Sequence, residues 1–133
     1  MAILQAIAPF FIVKSIHASV SFYVEKLGFE VEYMAPDETP FFAIVGRDHI
    51  SLFLKEIAAH IAPTPNHSRH SWARWDAFIY TEDPDDYYEE LVAKGLDFHQ
   101  PLRDTPDGLR GFEVYDADGY VLFVGKPRGL AYQ

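Results

Sequence analysis

The sequence predicts an α+β protein made of two tandem βαβββ modules, and three observations indicate this fold class. The order of one strand, one helix and three strands occurs twice along the 133 residues. The stretch SFYVEKLGFEVEY in the first half parallels DYYEELVAKGLDFH about 66 residues later. A hydrophobic fraction of 49% gives a chain of this length enough apolar surface for one domain with a real core. An internal duplication is the simplest explanation of the repeat.

The first module covers about residues 6–55 and begins with the strand-like stretch QAIAPFFIVK, in which Pro9 marks a strand start or an edge strand. Ser15 is a candidate N-cap for the helix that follows, and Gly28 ends that helix. Apolar residues recur at helical spacing and form one face: Ile16, Val20, Tyr23 and Leu27. Three more strands are predicted, FEVEYM, FFAIVG and HISLFLK.

The second module covers about residues 73–127 and begins with the strand WDAFIYTE. Asp83 is the candidate N-cap of its helix, Pro84 suits the first helical position, and Gly95 ends the helix. The predicted buried stripe of this helix consists of Tyr88, Leu91 and Val92. The strands LDFHQPL, GFEVYD and YVLFVGK complete the module.

A linker of about residues 56–72 separates the modules and is rich in Pro, Ser, Asn and His. Its histidines, His60, His67 and His70, are either metal ligands or solvated loop residues. Pro63 and Pro65 argue against a helix that would place two of them one turn apart. Solvated histidines are therefore the favoured interpretation.

Composition excludes several function classes. Eleven basic and 20 acidic residues give a net charge of −9, whereas nucleic-acid binding needs clustered Lys and Arg. The acidity either draws in a basic ligand or serves solubility. Without cysteine there is no disulfide or thiolate metal site. The N-terminus lacks the features of a secretory signal, and no apolar run approaches the ~18 residues of a membrane span. These features favour a cytoplasmic protein without membrane partners.

The doubled pattern, with FYVEKLGFEV in the first half and DADGYVLFV in the last hairpin, resembles the vicinal oxygen chelate superfamily. This superfamily includes glyoxalase I, extradiol dioxygenases, fosfomycin-resistance enzymes and bleomycin-resistance proteins. The resemblance covers roughly residues 6–127. It implies a single domain over residues 1–133, in which the modules form a curled, partly open mixed sheet around a cleft. It also implies a homodimer.

The resemblance implies where a metal would be held, because the family's enzymes bind a divalent ion with one residue from each of four strands. The corresponding positions here are Ala8, Ser51 or Phe53 (with His49 close by), Asp76 and Phe123. Alanine and phenylalanine cannot ligate a metal, so too few ligands remain for a zinc or iron site. The resemblance is therefore closest to the metal-free, bleomycin-resistance-like branch, for which we expect no cofactor and no catalytic residue.

The predicted ligand-binding residues are Trp72, Trp75, Asp76, Phe53, Arg110, Tyr115 and Phe123. The two tryptophans either pack the linker against the sheet or stack on a flat or cationic ligand, with Asp76 as its counter-charge. Arg110 is either a surface residue or a partner for an anionic group. Alternation along GFEVYD leaves two choices: either Phe112 or Glu113 faces the helix.

The predicted function is sequestration of a bulky, cationic or aromatic small molecule in a dimer cleft, as in antibiotic resistance. The alternative is a metal-dependent lyase or isomerase of the glyoxalase type. His49 and Asp76 would then be metal ligands, with Glu113 as a third ligand or a base. A further alternative is an ordinary metabolite or another protein as the binding partner.

Overall fold

A computed structural model describes residues 1–129 of the chain. The chain divides into two compact units, Met1–Pro63 and Thr64–Gln133. Among the described residues each unit has one four-stranded mixed sheet, and neither sheet closes on itself. The predicted order of strand, helix and three strands is confirmed in both units. No helix of residues 1–129 is long and apolar enough to cross a membrane.

The first unit contains the strands β1 (Phe10–Val13), β2 (Glu30–Ala35), β3 (Phe42–Arg47) and β4 (Ile50–Glu56). Helix α1 (Ile16–Ser21) continues into a π-helical turn over Phe22–Lys26. The strand order is β1-β4-β3-β2, with β1 parallel to β4 and the other pairs antiparallel. Strand β1 is thus an edge strand, and it begins directly after Pro9 because proline cannot donate to the ladder.

The second unit repeats this topology. Its strands are β5 (Ala77–Tyr80), β6 (Gln100–Asp104), β7 (Leu109–Tyr115) and β8 (Val121–Pro127), with helix α2 over Pro84–Ala93. The order is β5-β8-β7-β6, again with a parallel first pair and antiparallel remaining pairs. The same order and the same pairing in both halves support the internal duplication.

The helix boundaries follow the predicted capping signals. The Ser15 hydroxyl accepts a hydrogen bond from the Ala18 amide at 3.2 Å, and the Asp83 carboxylate accepts one from the Asp86 amide at 3.0 Å. Gly28 and Gly95 have φ of 76° and 77°, the left-handed conformation that ends a helix. Local chemistry therefore fixes where each helix begins and ends.

The core of each unit lies between its sheet and its helix. In the first unit the helix residues predicted to be buried are all buried, and alternate residues of β1, β3 and β4 meet them: Phe11, Val13, Ala43, Val45, Leu52 and Leu54. In the second unit Leu91 of α2 and Phe112 of β7 are fully buried. Each sheet therefore has one face against its helix and one face away from it.

Several predicted element details are wrong. Val92 is 51% exposed, because the side of α2 that faces the sheet runs through Pro84 and Leu91, which are buried, and Tyr88, which is half-buried. Strand β1 has four residues, and the preceding residues 5–8 form no strand. A short 3₁₀ helix, Asn66–Ser68, lies within the predicted linker and belongs to the second unit. The linker is therefore partly folded.

Candidate ligand-binding site

A pocket of about 330 Å³ lies within the second unit. Its lining comes from a residue two positions before β5, from β6 and the turn that follows it, and from β7 and β8: Trp75, Gln100, Arg103, Thr105, Pro106, Asp107, Glu113 and Phe123. This volume is at the lower end of the ~300–1,000 Å³ typical of ligand pockets. The pocket therefore fits one ring system with a substituent.

The structure resolves which face of β7 meets the helix. Phe112 contacts the rings of Tyr87 and Tyr88 on α2, with centroids 6.2 and 5.3 Å away. Since neighbours in a strand alternate, Glu113 and Tyr115 lie on the opposite face. The first of the two predicted alternatives is confirmed, and the pocket lies on the sheet face away from α2.

The apolar wall of the pocket is built on Phe123, which is only 2% exposed. The Trp75 ring lies against it with centroids 4.4 Å apart and planes inclined by 32°, and Phe78 contacts it at 5.1 Å. Gly111 and Gly125 are directly opposite each other in β7 and β8, and the edge of the Phe123 ring lies over both. Because neither glycine has a side chain, the ring can lie close to the sheet.

Glu113 lies behind this wall and is 7% exposed. Its carboxylate accepts hydrogen bonds from two side chains. The Trp75 Nε1–H donates to Oε2 at 3.0 Å, and the Arg74 Nη2 group donates to Oε1 at 3.2 Å. Arg74 also donates to the Tyr115 hydroxyl at 3.0 Å. The hydrogen bond to Tyr115, together with Glu113, raises the pKa of Arg74 against the opposing effect of burial. These contacts fix the orientation of the Trp75 indole in the pocket.

Tyr115 connects this network to two histidines. The rings of His67 and His99 stack on it with centroids 5.2 and 4.9 Å away. A ring nitrogen of His67 lies 2.8 Å from the Gly119 carbonyl oxygen, in the turn between β7 and β8. His67 is therefore a packed residue of the second unit, and the predicted solvated-loop role is wrong for it.

The turn between β7 and β8 is closed by Asp116, whose carboxylate accepts hydrogen bonds from the amides of Asp118 and Tyr120 at 2.9 Å. Gly119 has a φ of 86°, which a side-chain-bearing residue adopts at a cost. Tyr120 is buried, and this burial raises the pKa of its hydroxyl. The turn sets the register that places Phe123 opposite Glu113.

Asp76 makes two backbone contacts in the structure. Its carboxylate accepts hydrogen bonds from the Asn66 amide at 2.9 Å and from the Val121 amide at 2.8 Å. Both oxygens are therefore engaged in holding the 3₁₀ helix and the start of β8 next to β5. The residue joins three segments of the second unit and does not line the pocket.

Three other predicted site residues are not part of the pocket lining. Trp72 is 91% exposed, and its ring centroid lies 6.2 Å from that of His70. Arg110 forms ion pairs with Asp85 of α2 at 2.8 Å and with Asp104 at 3.1 Å, which raise its pKa and lower that of Asp85. Phe53 lies in the first unit against Phe10 and Phe42. Of the predicted residues, the structure brings Trp75 and Phe123 together in the pocket, with Tyr115 next to its network.

The positions considered for a metal carry few ligating groups. Ala8 is exposed, and Ser51 donates to the Glu32 carboxylate at 2.6 Å. His49 lies exposed in the turn before β4. Within residues 1–129 no group of three or more His, Cys, Asp or Glu side chains is placed to hold a metal ion.

Sequence reasoning missed the roles of Arg74, Gln100 and Arg103 and left that of Glu113 open. One signal for Glu113 was present, since it is an acidic residue enclosed by apolar residues in GFEVYD. Arg74 gave no comparable signal, because its contact with Glu113 joins positions 39 residues apart.

The family model described as the Glyoxalase/Bleomycin resistance protein/Dioxygenase superfamily matches residues 4–124. No curated protein sequence matches the chain.

Among solved structures, the chain is similar to a bleomycin-binding protein from bleomycin-producing Streptomyces verticillus complexed with copper(II)-bleomycin. The TM-score is 0.68 at 25% identity, with 98% of this chain and 100% of that chain covered. It is also similar to a glyoxalase-related enzyme from Clostridium phytofermentans, with a TM-score of 0.73 at 17% identity and coverage of 95% and 97%. A bleomycin-binding protein complexed with bleomycin gives a TM-score of 0.70 at 16% identity and coverage of 94% and 100%.

Proposed function

The chain belongs to the glyoxalase/bleomycin resistance protein/dioxygenase superfamily, and from this premise we propose that it is a metal-free protein that sequesters a bulky aromatic small molecule. The observation that carries the proposal is the Trp75 ring, which is stacked on Phe123 and oriented by Glu113 at the wall of the pocket. A rigid aromatic surface binds a flat ring at a low cost in conformational entropy. Sequestration needs this affinity and no chemical step.

Two further points support this proposal. The solved relatives include two proteins in complex with bleomycin, so the fold accommodates small molecules of that class. Ala8 and Phe123 offer no ligating atom at two of the positions where the family's enzymes hold a metal. If the ligand is toxic, binding it in a stoichiometric complex would protect the cell, which is the proposed link to antibiotic resistance.

The charges of the protein bear on whether the ligand carries positive groups. The net charge of −9 favours a ligand with positive groups at long range. Asp76 does not support a local counter-charge, because it does not line the pocket and its carboxylate holds two backbone amides instead. The proposal therefore rests on ring stacking in the pocket, and any cationic part of the ligand would lie outside it.

Trp75→Ala is expected to weaken the binding of a flat, uncharged probe, 2-naphthalenemethanol, by about tenfold or more, because a central tryptophan typically contributes at least that much to an interface. The dissociation constant would be measured by NMR titration of the labelled protein. In the wild type the amide signals of Trp75, Glu113 and Phe123 should shift.

Trp72→Ala is the matched control, since it removes an indole that is 91% exposed and outside the pocket. It should leave the affinity unchanged. Equal affinity of Trp75→Ala and wild type, or probe-induced shifts confined to the first unit, would contradict the proposed site.

We also propose that the protein is a homodimer, as the superfamily resemblance implies. In its support, the first unit exposes aromatic rings on the sheet face away from α1, including Phe10 and Tyr33, each 54% exposed. Sedimentation equilibrium should give twice the 15.2 kDa mass of one chain. A mass of one chain at all concentrations up to the millimolar range would contradict the dimer.

A further inference from the structure

Resting on the proposed function, we propose that Gln100 and Arg103 form a donor subsite of the pocket, and that the bound ligand carries a carboxylate on its flat ring system. Both residues line the pocket beside Trp75 and Phe123. The register of β6 and the unused hydrogen-bond donors of these two residues support this chemical class of ligand.

An irregularity in β6 puts both donors on one side of the sheet. Gln100 pairs with Glu113 and Arg103 pairs with Gly111, so three steps along β6 match two steps along β7. In a regular strand, residues three apart point to opposite faces. The extra residue turns Arg103 to the face of Glu113, and such bulges commonly re-aim a side chain next to a functional site.

These donors are unused within the described part of the chain. Arg103 makes no hydrogen bond or ion pair with any of residues 1–129, and the same holds for the Gln100 side chain. The other five arginines all have partners: Arg47 with Leu27, Arg69 with Asn66, Arg74 with Glu113, Arg110 with Asp85 and Arg128 with Thr105. Arg103 thus differs from every other arginine of the protein.

The acidic groups of the pocket, in contrast, already accept hydrogen bonds. Glu113 accepts from Arg74 and from Trp75. Asp107 accepts from the Thr105 hydroxyl at 2.5 Å. The side-chain donors of Gln100 and Arg103 are thus the polar groups of the pocket for which residues 1–129 supply no partner.

A carboxylate matches this capacity best. A guanidinium donates two parallel N–H bonds to the two oxygens of a carboxylate, and the Gln100 amide can donate a third. A phosphate dianion carries one more negative charge than a carboxylate, and Glu113 and Asp107 in the same pocket would repel it more strongly. Gly111, the β7 neighbour of Arg103, has the edge of the Phe123 ring over it, so Arg103 pairs with a position next to the aromatic wall.

Three probes that share one ring system test this inference: 2-naphthoate, 2-naphthalenemethanol and 2-naphthylmethylammonium. Their dissociation constants would be measured by NMR titration with the wild type, Arg103→Gln and Lys14→Gln. We expect the wild type to bind naphthoate about tenfold more tightly than the alcohol, since hydrogen bonds between charged groups contribute about that much, and to bind the ammonium compound least. Arg103→Gln should abolish this preference, so that naphthoate no longer binds more tightly than the alcohol.

Lys14→Gln is the control for net charge, because it removes one exposed positive charge from the first unit. It should keep the full preference for naphthoate. Equal affinity of the wild type for all three probes, or an undiminished preference in Arg103→Gln, would overturn the donor subsite while the proposed function stands. No binding of any probe would contradict the proposed function and the subsite with it.

Discussion

Phe112→Ala is expected to lower the free energy of unfolding by about 3–5 kcal/mol, the range found when a buried phenylalanine is truncated. Phe112 is fully buried between the sheet and helix α2. The rings of Tyr87, Tyr88 and Phe98 surround it with centroids 6.2, 5.3 and 5.5 Å away. Alanine would leave a cavity that these rings fill only in part. Urea denaturation followed by circular dichroism measures the effect.

Two control variants test whether the loss of stability comes from the burial of Phe112 in the core. Phe41→Ala removes the same side chain where it is 47% exposed and should cost less than about 1 kcal/mol. Phe112→Leu keeps an apolar side chain and should fall between the two. A loss for Phe112→Ala no larger than that for Phe41→Ala would show that the α2 side of the sheet is not the core of this unit.

The fold class was predictable because its signals are local. The duplication is visible as a repeated order of apolar runs and breakers, and each helix carries its own cap and stop, such as Asp83 and Gly95 of α2. Where local signals conflict, the sequence misleads. Val92 fits the apolar pattern of α2, but it directly follows Leu91. Because Leu91 faces the sheet, the next residue on the helix points away from it.

The candidate site was only partly predictable, because its geometry depends on tertiary contacts. Trp75 was identified as a tryptophan beside Asp76 at the start of the second module, and Phe123 as an apolar residue at a position where the family's enzymes hold a metal. Counting along strands placed Asp76 near the site but could not reveal that amides of Asn66 and Val121 face its carboxylate. The same counting could not reveal the irregularity in β6 that turns Arg103 into the pocket.

Gly111 and Gly125, which lie beneath the Phe123 ring, affect both the stability of the sheet and the shape of the pocket. Gly125 has an ordinary strand conformation, so its role is to leave space rather than to adopt a positive φ. A Cβ atom there would lie 2.3 Å from the Arg110 carbonyl oxygen and 2.8 Å from the Phe123 ring. The ring can move, but the carbonyl belongs to the ladder between β7 and β8. A side chain at this position therefore has to distort both the ladder and the pocket wall.

Gly125→Ala is accordingly expected to destabilise the protein by about 3 kcal/mol, the upper end of the usual range for overpacking, because the main obstacle is backbone. Displacement of Phe123 should also remove the support of Trp75, change the tryptophan emission and weaken the binding of 2-naphthalenemethanol. Denaturation and the same NMR titration measure the two effects.

Gly95→Ala separates crowding from backbone strain. Its φ of 77° makes alanine unfavourable by roughly 1–2 kcal/mol, yet an added Cβ would meet no atom within 4 Å. This variant should lose stability while the tryptophan emission and the affinity for the probe stay as in the wild type. If Gly125→Ala likewise loses only stability and keeps the wild-type emission and affinity, then Phe123 does not shape the pocket wall, and Trp75 is held in place by Glu113 alone.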